Sequence, residues 1–163
     1  MDPVHFTGAE ILEMALRIEE NGFKFYTDAC KAAKTTRLKE LFKHLADEET
    51  NHVKSFSALV RLSGDSSTSP IDVNETDAPL YLRALADTEV FTSPDQGAKF
   101  GKNIENEKDA LNFAIQMEKD SLLFYYELAS MIHEKDRAIL DNIIEQEKEH
   151  VLKLSTLRAE LFK

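Results

Sequence analysis

Two short motifs in this sequence have the residue types and the spacing of metal ligands. Glu49 and His52 occur in "ETNH", and Glu147 and His150 occur in "EKEH". Residues three positions apart lie side by side on one helical face, so each motif could bind one metal ion through a carboxylate oxygen and an imidazole nitrogen. A lone Glu-x-x-His in a Glu-rich chain is usually a solvated face, but two copies at matched positions need another explanation.

Both motifs interrupt stripes of apolar residues that a helical bundle would bury. Steps of three and four give Leu38, Phe42, Leu45, Phe56 and Leu59 on the second predicted helix, and Leu140, Ile143, Leu154, Leu157 and Leu161 on the fourth. Within each stripe, only the Glu and the His of the motif are polar. The neighbouring acids Asp47, Glu48, Glu145 and Glu149 lie off these stripes and are predicted to be solvated.

The other two predicted helices each carry one carboxylate on an apolar stripe. Glu19 lies among Leu12, Leu16, Phe23, Tyr26 and Cys30, and Glu118 lies among Leu111, Ile115, Leu122, Tyr125 and Ala129. Four carboxylates and two imidazoles should therefore meet in one core, with no Lys or Arg on the stripes nearby. Because buried carboxylates are costly and repel one another, the pattern predicts two divalent cations between them.

The elements that would position these residues are four helices in two hairpins. Only five glycines and four prolines occur in 163 residues, which favours an all-α chain. The predicted hairpins span residues 7–62, opening with a Thr-x-x-Glu capping box, and residues 105–163. The 63–104 crossover, with a short helix after Pro79, is long for a link between bundle neighbours. It suits a ferritin-like four-helix bundle, so one domain over residues 1–163 is predicted.

The two hairpins also resemble each other in sequence. Residues 15–29 align with residues 114–128 at an offset of 99, which pairs Glu19 with Glu118. The two Glu-x-x-His motifs align at an offset of 98. Because a repeat at nearly one offset in both halves seldom arises by chance, the alignment predicts a pseudo-twofold bundle.

On these motifs the chain resembles the rubrerythrin-like branch of the ferritin-like superfamily, and the resemblance covers nearly all of it apart from the 63–104 crossover. The resemblance implies that six residues bind two iron ions, with manganese or zinc as alternatives: Glu19, Glu49, His52, Glu118, Glu147 and His150. It also implies that Glu49 and Glu147 bridge the metals. Tyr26 and Tyr125 would donate hydrogen bonds to carboxylate ligands, although ordinary core aromatic side chains would also fit these positions.

The sequence departs from rubrerythrins in two respects. Cys30 is the only cysteine, so the cysteine pairs of a rubredoxin domain are missing and reducing electrons would have to come from another protein. Ser121 stands where rubrerythrins carry an extra carboxylate on the third helix, associated with metal movement during peroxide reduction.

The function that the resemblance implies is the reduction of peroxide, or of oxygen, at a di-iron site with electrons from an external donor protein. One alternative is a ferroxidase that binds or stores iron, and a second is a binding module with structural metals. The net charge of −10 argues against nucleic acid and anionic membranes as partners. No secretory signal or membrane-length apolar run is visible, so a cytoplasmic setting is expected, and a homodimer is possible.

Overall fold

The computed structural model of the protein describes residues 7–63, 70–71, 82 and 106–162. These residues form four helices, numbered here in chain order: α1 (Gly8–Ala32), α2 (Thr36–Leu62), α3 (Glu107–Met131) and α4 (Glu134–Leu161). Helix α1 packs against α2, and α3 packs against α4, while contacts between α1 and α3 and between α2 and α4 join the hairpins. The predicted all-α bundle of two hairpins is confirmed.

The crossover lies largely outside the described residues. Its predicted short helix falls there too, apart from Leu82, which is helical and fully buried. Ile71 pairs with Ile132 in an isolated antiparallel bridge, which attaches the start of the crossover to the turn between α3 and α4. None of the helices in the described ranges has an apolar stretch long enough to cross a membrane.

Side-chain caps fix where the helices begin and how the hairpins meet. The predicted capping box is present: Thr7 N–H donates to Glu10 Oε2 at 2.7 Å, and Glu10 N–H donates to Thr7 Oγ1 at 3.2 Å. In the first turn of α3, the Glu107 carboxylate accepts the backbone N–H groups of Lys34 and Thr35 at 2.7 and 3.1 Å. This contact ties the α1–α2 turn to the start of the second hairpin.

Two apolar clusters fill the bundle, and a polar layer separates them along every helix. One cluster contains Ile11, Leu12, Phe56, Leu128, Leu140 and Ile143, together with Ile71 and Leu82. The other contains Phe25, Phe42, Leu45, Leu111 and Leu154. Since burial of one such side chain contributes about 1.5–3 kcal/mol, these clusters can offset the cost of the polar layer.

The predicted apolar stripes are wrong at two positions. Phe23 is 41% exposed and Leu161 is 37% exposed. The buried face of α1 includes Ile18 and Phe25, so it is rotated from the predicted stripe and leaves Phe23 at its edge. Leu161 is the last residue of α4, where the end of the bundle offers little to cover it.

Candidate metal centre

The structure brings all six predicted ligands into one buried layer. Glu19, Glu49, His52, Glu118, Glu147 and His150 are each no more than 2% exposed. Their ligand atoms form two overlapping groups, in each of which the atoms lie within 4.8 Å of one another: Glu19, Glu49, His52 and Glu147, and then Glu49, Glu118, Glu147 and His150. Glu49 and Glu147 belong to both groups. Two adjacent metal ions that shared two carboxylates would need this arrangement.

One ring nitrogen of His52 faces the carboxylates of the first ligand group, and the other ring nitrogen faces away from them. Its Nδ1 atom lies 2.9 Å from Glu147 Oε1, 3.1 Å from Glu19 Oε2 and 3.6 Å from Glu49 Oε2. Its Nε2 atom lies 2.8 Å from Gln146 Oε1. With Nδ1 as a metal ligand, Nε2 would carry the proton and donate a hydrogen bond to Gln146 Oε1, which would fix the ring orientation.

His150 has the same orientation in the second group. Its Nδ1 atom lies 3.1 Å from Glu147 Oε2 and 3.5 Å from Glu118 Oε1, and its Nε2 atom lies 3.0 Å from Glu48 Oε2. The hydrogen bond with His150 lowers the pKa of Glu48 to about 2, so Glu48 is ionised at neutral pH. The prediction that Glu48 is solvated is wrong, because its side chain is only 21% exposed and reaches across to α4.

Two tyrosines from opposite hairpins hold the single carboxylates of α1 and α3. Tyr125 donates its hydroxyl hydrogen to Glu19, and Tyr26 donates to Glu118. Both tyrosines are fully buried. Burial and the nearby carboxylates raise the pKa of both hydroxyls well above the ordinary value, so each remains a donor.

Two small residues lie beside the layer, each three positions after the single Glu of its helix: Gly22 in α1 and Ser121 in α3. At Gly22, a Cβ atom would lie only 3.1 Å from Glu49 Cδ, so the missing side chain gives the Glu49 carboxyl group its space. Ser121 corresponds to Gly22 at the offset of 99. It is buried, and its hydroxyl donates to the Met117 carbonyl oxygen at 3.0 Å. Ser121 therefore brings no charge to the layer.

The four carboxyl groups differ in pKa when no metal is bound. Burial raises the pKa of Glu49 well above the ordinary value, and the charges of Glu19 and Glu147 add to this effect. Burial and the Glu147 charge raise the pKa of Glu118 to about 8. Burial also acts on Glu19 and Glu147, but hydrogen bonds from neighbouring carboxyl and imidazole groups outweigh it and lower their pKa values. These shifts favour a proton on Glu49 and Glu118 and the ionised form of Glu19 and Glu147 in the metal-free layer.

The contacts in the metal-free layer favour the positively charged form of both imidazoles. Burial opposes the charge, but the Glu19 charge and the contacts with Glu147 and Glu49 raise the pKa of His52 well above its usual value. Burial likewise opposes the charge of His150, and the contacts with Glu118, Glu147 and Glu48 raise its pKa well above the usual value. Two imidazolium groups and two carboxylates leave the metal-free layer close to neutral.

The donor set fits a pair of divalent cations. Glu147 Oε1 is buried and accepts no hydrogen bond from any residue in the described ranges, although His52 Nδ1 is only 2.9 Å away. Two divalent cations can replace the four protons held by two carboxyl and two imidazolium groups without changing the net charge. Carboxylate oxygens combined with imidazole nitrogens suit iron and manganese.

Metal binding is expected to release protons, because the positive charge of the metal ions replaces that of the bound protons. At pH 7, the binding of two Zn²⁺ ions should release about four protons per chain, because ligands must be deprotonated to bind. The Glu118 proton is lost from the metal-free protein as pH rises through about 8, so the number released should fall towards three at higher pH. Calorimetric titration in buffers of different ionisation enthalpy measures this number. Release of fewer than two protons at pH 7 would contradict the charge assignment.

Comparisons with known proteins agree with this geometry. The sequence model of the family described as Rubrerythrin matches residues 10–158. No curated protein matches the chain. A solved structure from Thermotoga maritima, described as a ferritin-like diiron-carboxylate protein, is 28% identical, superposes with a TM-score of 0.75, and aligns over 97% of this chain and 98% of that one. The match over nearly the full length of both chains confirms the predicted ferritin-like fold.

Proposed function

The chain belongs to the rubrerythrin family, and on this premise we propose that it is a di-iron oxidoreductase that reduces hydrogen peroxide. The observation that carries the proposal is the buried layer in which two ligand groups share Glu49 and Glu147. An exposed acidic cluster would bind cations loosely, whereas these carboxylates are buried and oriented by tyrosine and histidine contacts. Such a layer suits ions that must stay bound while their charge changes.

Two bound ferrous ions would supply the two electrons that, with two protons, convert one hydrogen peroxide molecule into two water molecules. The protein side chains set the conditions for this reaction. Glu19 and Glu118 would each bind one of the two metal ions. The hydroxyls of Tyr125 and Tyr26 donate to these carboxylates and so limit their rotation. The apolar clusters on both sides exclude bulk water, which strengthens electrostatic interactions within the layer.

The electrons that restore the site would come from a separate donor protein. With Cys30 as the only cysteine, this sequence cannot form a cysteine-cage metal site within one chain. The family resemblance favours peroxide over dioxygen as the oxidant. The two electrons of one chain complete the reduction of one hydrogen peroxide molecule to water, whereas the reduction of dioxygen to water needs four.

Stopped-flow oxidation of the ferrous protein tests the proposal. Anaerobic protein is loaded with ferrous iron, the iron per chain is counted, and peroxide or air-saturated buffer is mixed in while near-ultraviolet absorbance is followed. We expect two irons per chain and oxidation at least about tenfold faster with peroxide than with oxygen. Many more than two irons per chain with faster oxidation by oxygen would indicate iron storage instead. Iron that binds but is never oxidised would indicate structural metals.

A further inference from the structure

The two metal-facing histidines have different partners on their outer side. Glu48 contacts His150 Nε2 at 3.0 Å, and Gln146 contacts His52 Nε2 at 2.8 Å. Glu48 and Gln146 correspond at the repeat offset of 98, and each directly precedes the Glu of its own motif. Each also reaches the histidine of the opposite hairpin. Glu48 and Gln146 therefore follow the pseudo-twofold symmetry in their positions and in their histidine contacts. They differ in charge, because only Glu48 is a carboxylate.

The surroundings of the two partners extend this difference. Glu48 Oε2 lies 2.9 Å from His44 Nε2 and 3.6 Å from Lys153 Nζ. At the same offset, the residues that correspond to His44 and Lys153 are Asn142 and Ser55, neither of which is ionisable. One histidine is thus backed by a carboxylate in a charged cluster, and the other is backed by a neutral amide.

This difference acts on the metals through the imidazole rings. An imidazole that donates its N–H to a carboxylate is a more basic ligand than one that donates to a neutral amide, because the acceptor charge stabilises positive charge on the ring. Lys153 and the protonated form of His44 would each offset part of the Glu48 charge. Their side chains are 36% and 48% exposed, so water screens these contacts, whereas His150 is fully buried. The outer carboxylate also adds negative charge on the side of His150.

We propose that Glu48 and Gln146 give the two metal positions different affinities. A divalent cation then binds first and more tightly at the position of Glu118 and His150. The inference rests on the ligand set of the proposed function. Glu48 acts through His150 and is a positioning residue, not a ligand. Removal of such a partner typically weakens metal binding by about 10–100-fold, so stepwise affinities that differ by about that factor are expected.

A zinc titration of protein labelled with ¹⁵N in its histidines tests the ranking without any enzymatic activity. The ring nitrogen signals are assigned with the His52→Gln and His150→Gln variants. In the unmodified protein, the His150 Nδ1 signal should shift with the first equivalent of Zn²⁺ and the His52 Nδ1 signal with the second. Glu145→Gln is the matched control, because this side chain is 70% exposed on α4 and should leave the order unchanged.

Exchange of the two outer residues gives the sharpest result. Glu48→Gln should bring the two affinities to within about threefold, and the double variant Glu48→Gln/Gln146→Glu should reverse the order of filling. An unchanged order in the double variant, or simultaneous filling in the unmodified protein, overturns the ranking and leaves the dinuclear site standing. Absence of any zinc-induced shift at both histidines overturns the ranking and the proposed function together.

Discussion

Replacement of either shared carboxylate, Glu49→Gln or Glu147→Gln, is expected to abolish stoichiometric metal binding at both positions. Each of these residues belongs to both ligand groups, so one amide removes a charged ligand from two metals at once. The loss should exceed the roughly 10–100-fold effect of removing a partner that only orients a ligand. We expect an affinity loss of more than about 100-fold for each ion. Equilibrium dialysis against Zn²⁺ or ferrous iron measures it.

The same two variants should differ from each other when metal is absent. Burial raises the pKa of Glu49 and favours its neutral form, so the amide of Glu49→Gln replaces a neutral group of the same shape. Glu147 instead contacts the imidazoles of His52 and His150, and removal of one partner from a buried ion pair is destabilising. Thermal unfolding of metal-free Glu49→Gln should therefore occur near the temperature of the unmodified protein, and that of metal-free Glu147→Gln well below it. Glu149→Gln, with a side chain 67% exposed, is the control that keeps both metals. Two ions bound with unchanged affinity in Glu49→Gln would exclude a shared ligand role.

Loading with metal is expected to raise the midpoint of thermal unfolding by about 10–20 °C. A ligand that binds only the folded state stabilises it by about 2.7 kcal/mol when its free concentration is 100 times its Kd, and two ions contribute about twice that. For a chain of this size, 1 kcal/mol corresponds to about 2–4 °C. The effect is large because ligands from all four helices meet in one layer, so the ions cross-link both hairpins.

Differential scanning calorimetry with and without a chelator measures this shift. Glu49→Gln should show almost none of it, which separates specific binding from general ionic effects. A shift below about 2 °C in the unmodified protein, under conditions in which dialysis shows two bound ions, would show that the ions do not bind across the helices.

The fold and the inward-facing residues could be predicted from the sequence because the pattern is local and repeated. A polar residue on an apolar helical stripe can be identified from spacing alone, and the repeat supplied an independent check of Glu19 against Glu118. The predicted stripe was wrong at Phe23. Simple steps of three and four only approximate the helical period, so they place the buried face of α1 slightly away from its true position. The 41% exposure of Phe23 is the result.

The outer partners of the two histidines could not be predicted, because these contacts join residues about 100 positions apart through the packing of the hairpins. Glu48 lies off the apolar stripe of α2 and looks solvated in sequence, yet α4 places His150 within 3.0 Å of it. Gln146 gave no signal of its own, since an amide beside a Glu on a polar face is ordinary. The one available clue was that both residues occupy the same place in the repeat, directly before the Glu of each motif.

Anomalous X-ray diffraction at the iron edge, from crystals of anaerobically loaded protein, tests the dinuclear site most directly. The site predicts two iron peaks within the buried layer, one beside Glu19 and His52 and the other beside Glu118 and His150, with Glu49 and Glu147 in contact with both. A single peak, no peak, or peaks only at exposed acidic side chains in protein saturated with ferrous iron would contradict it.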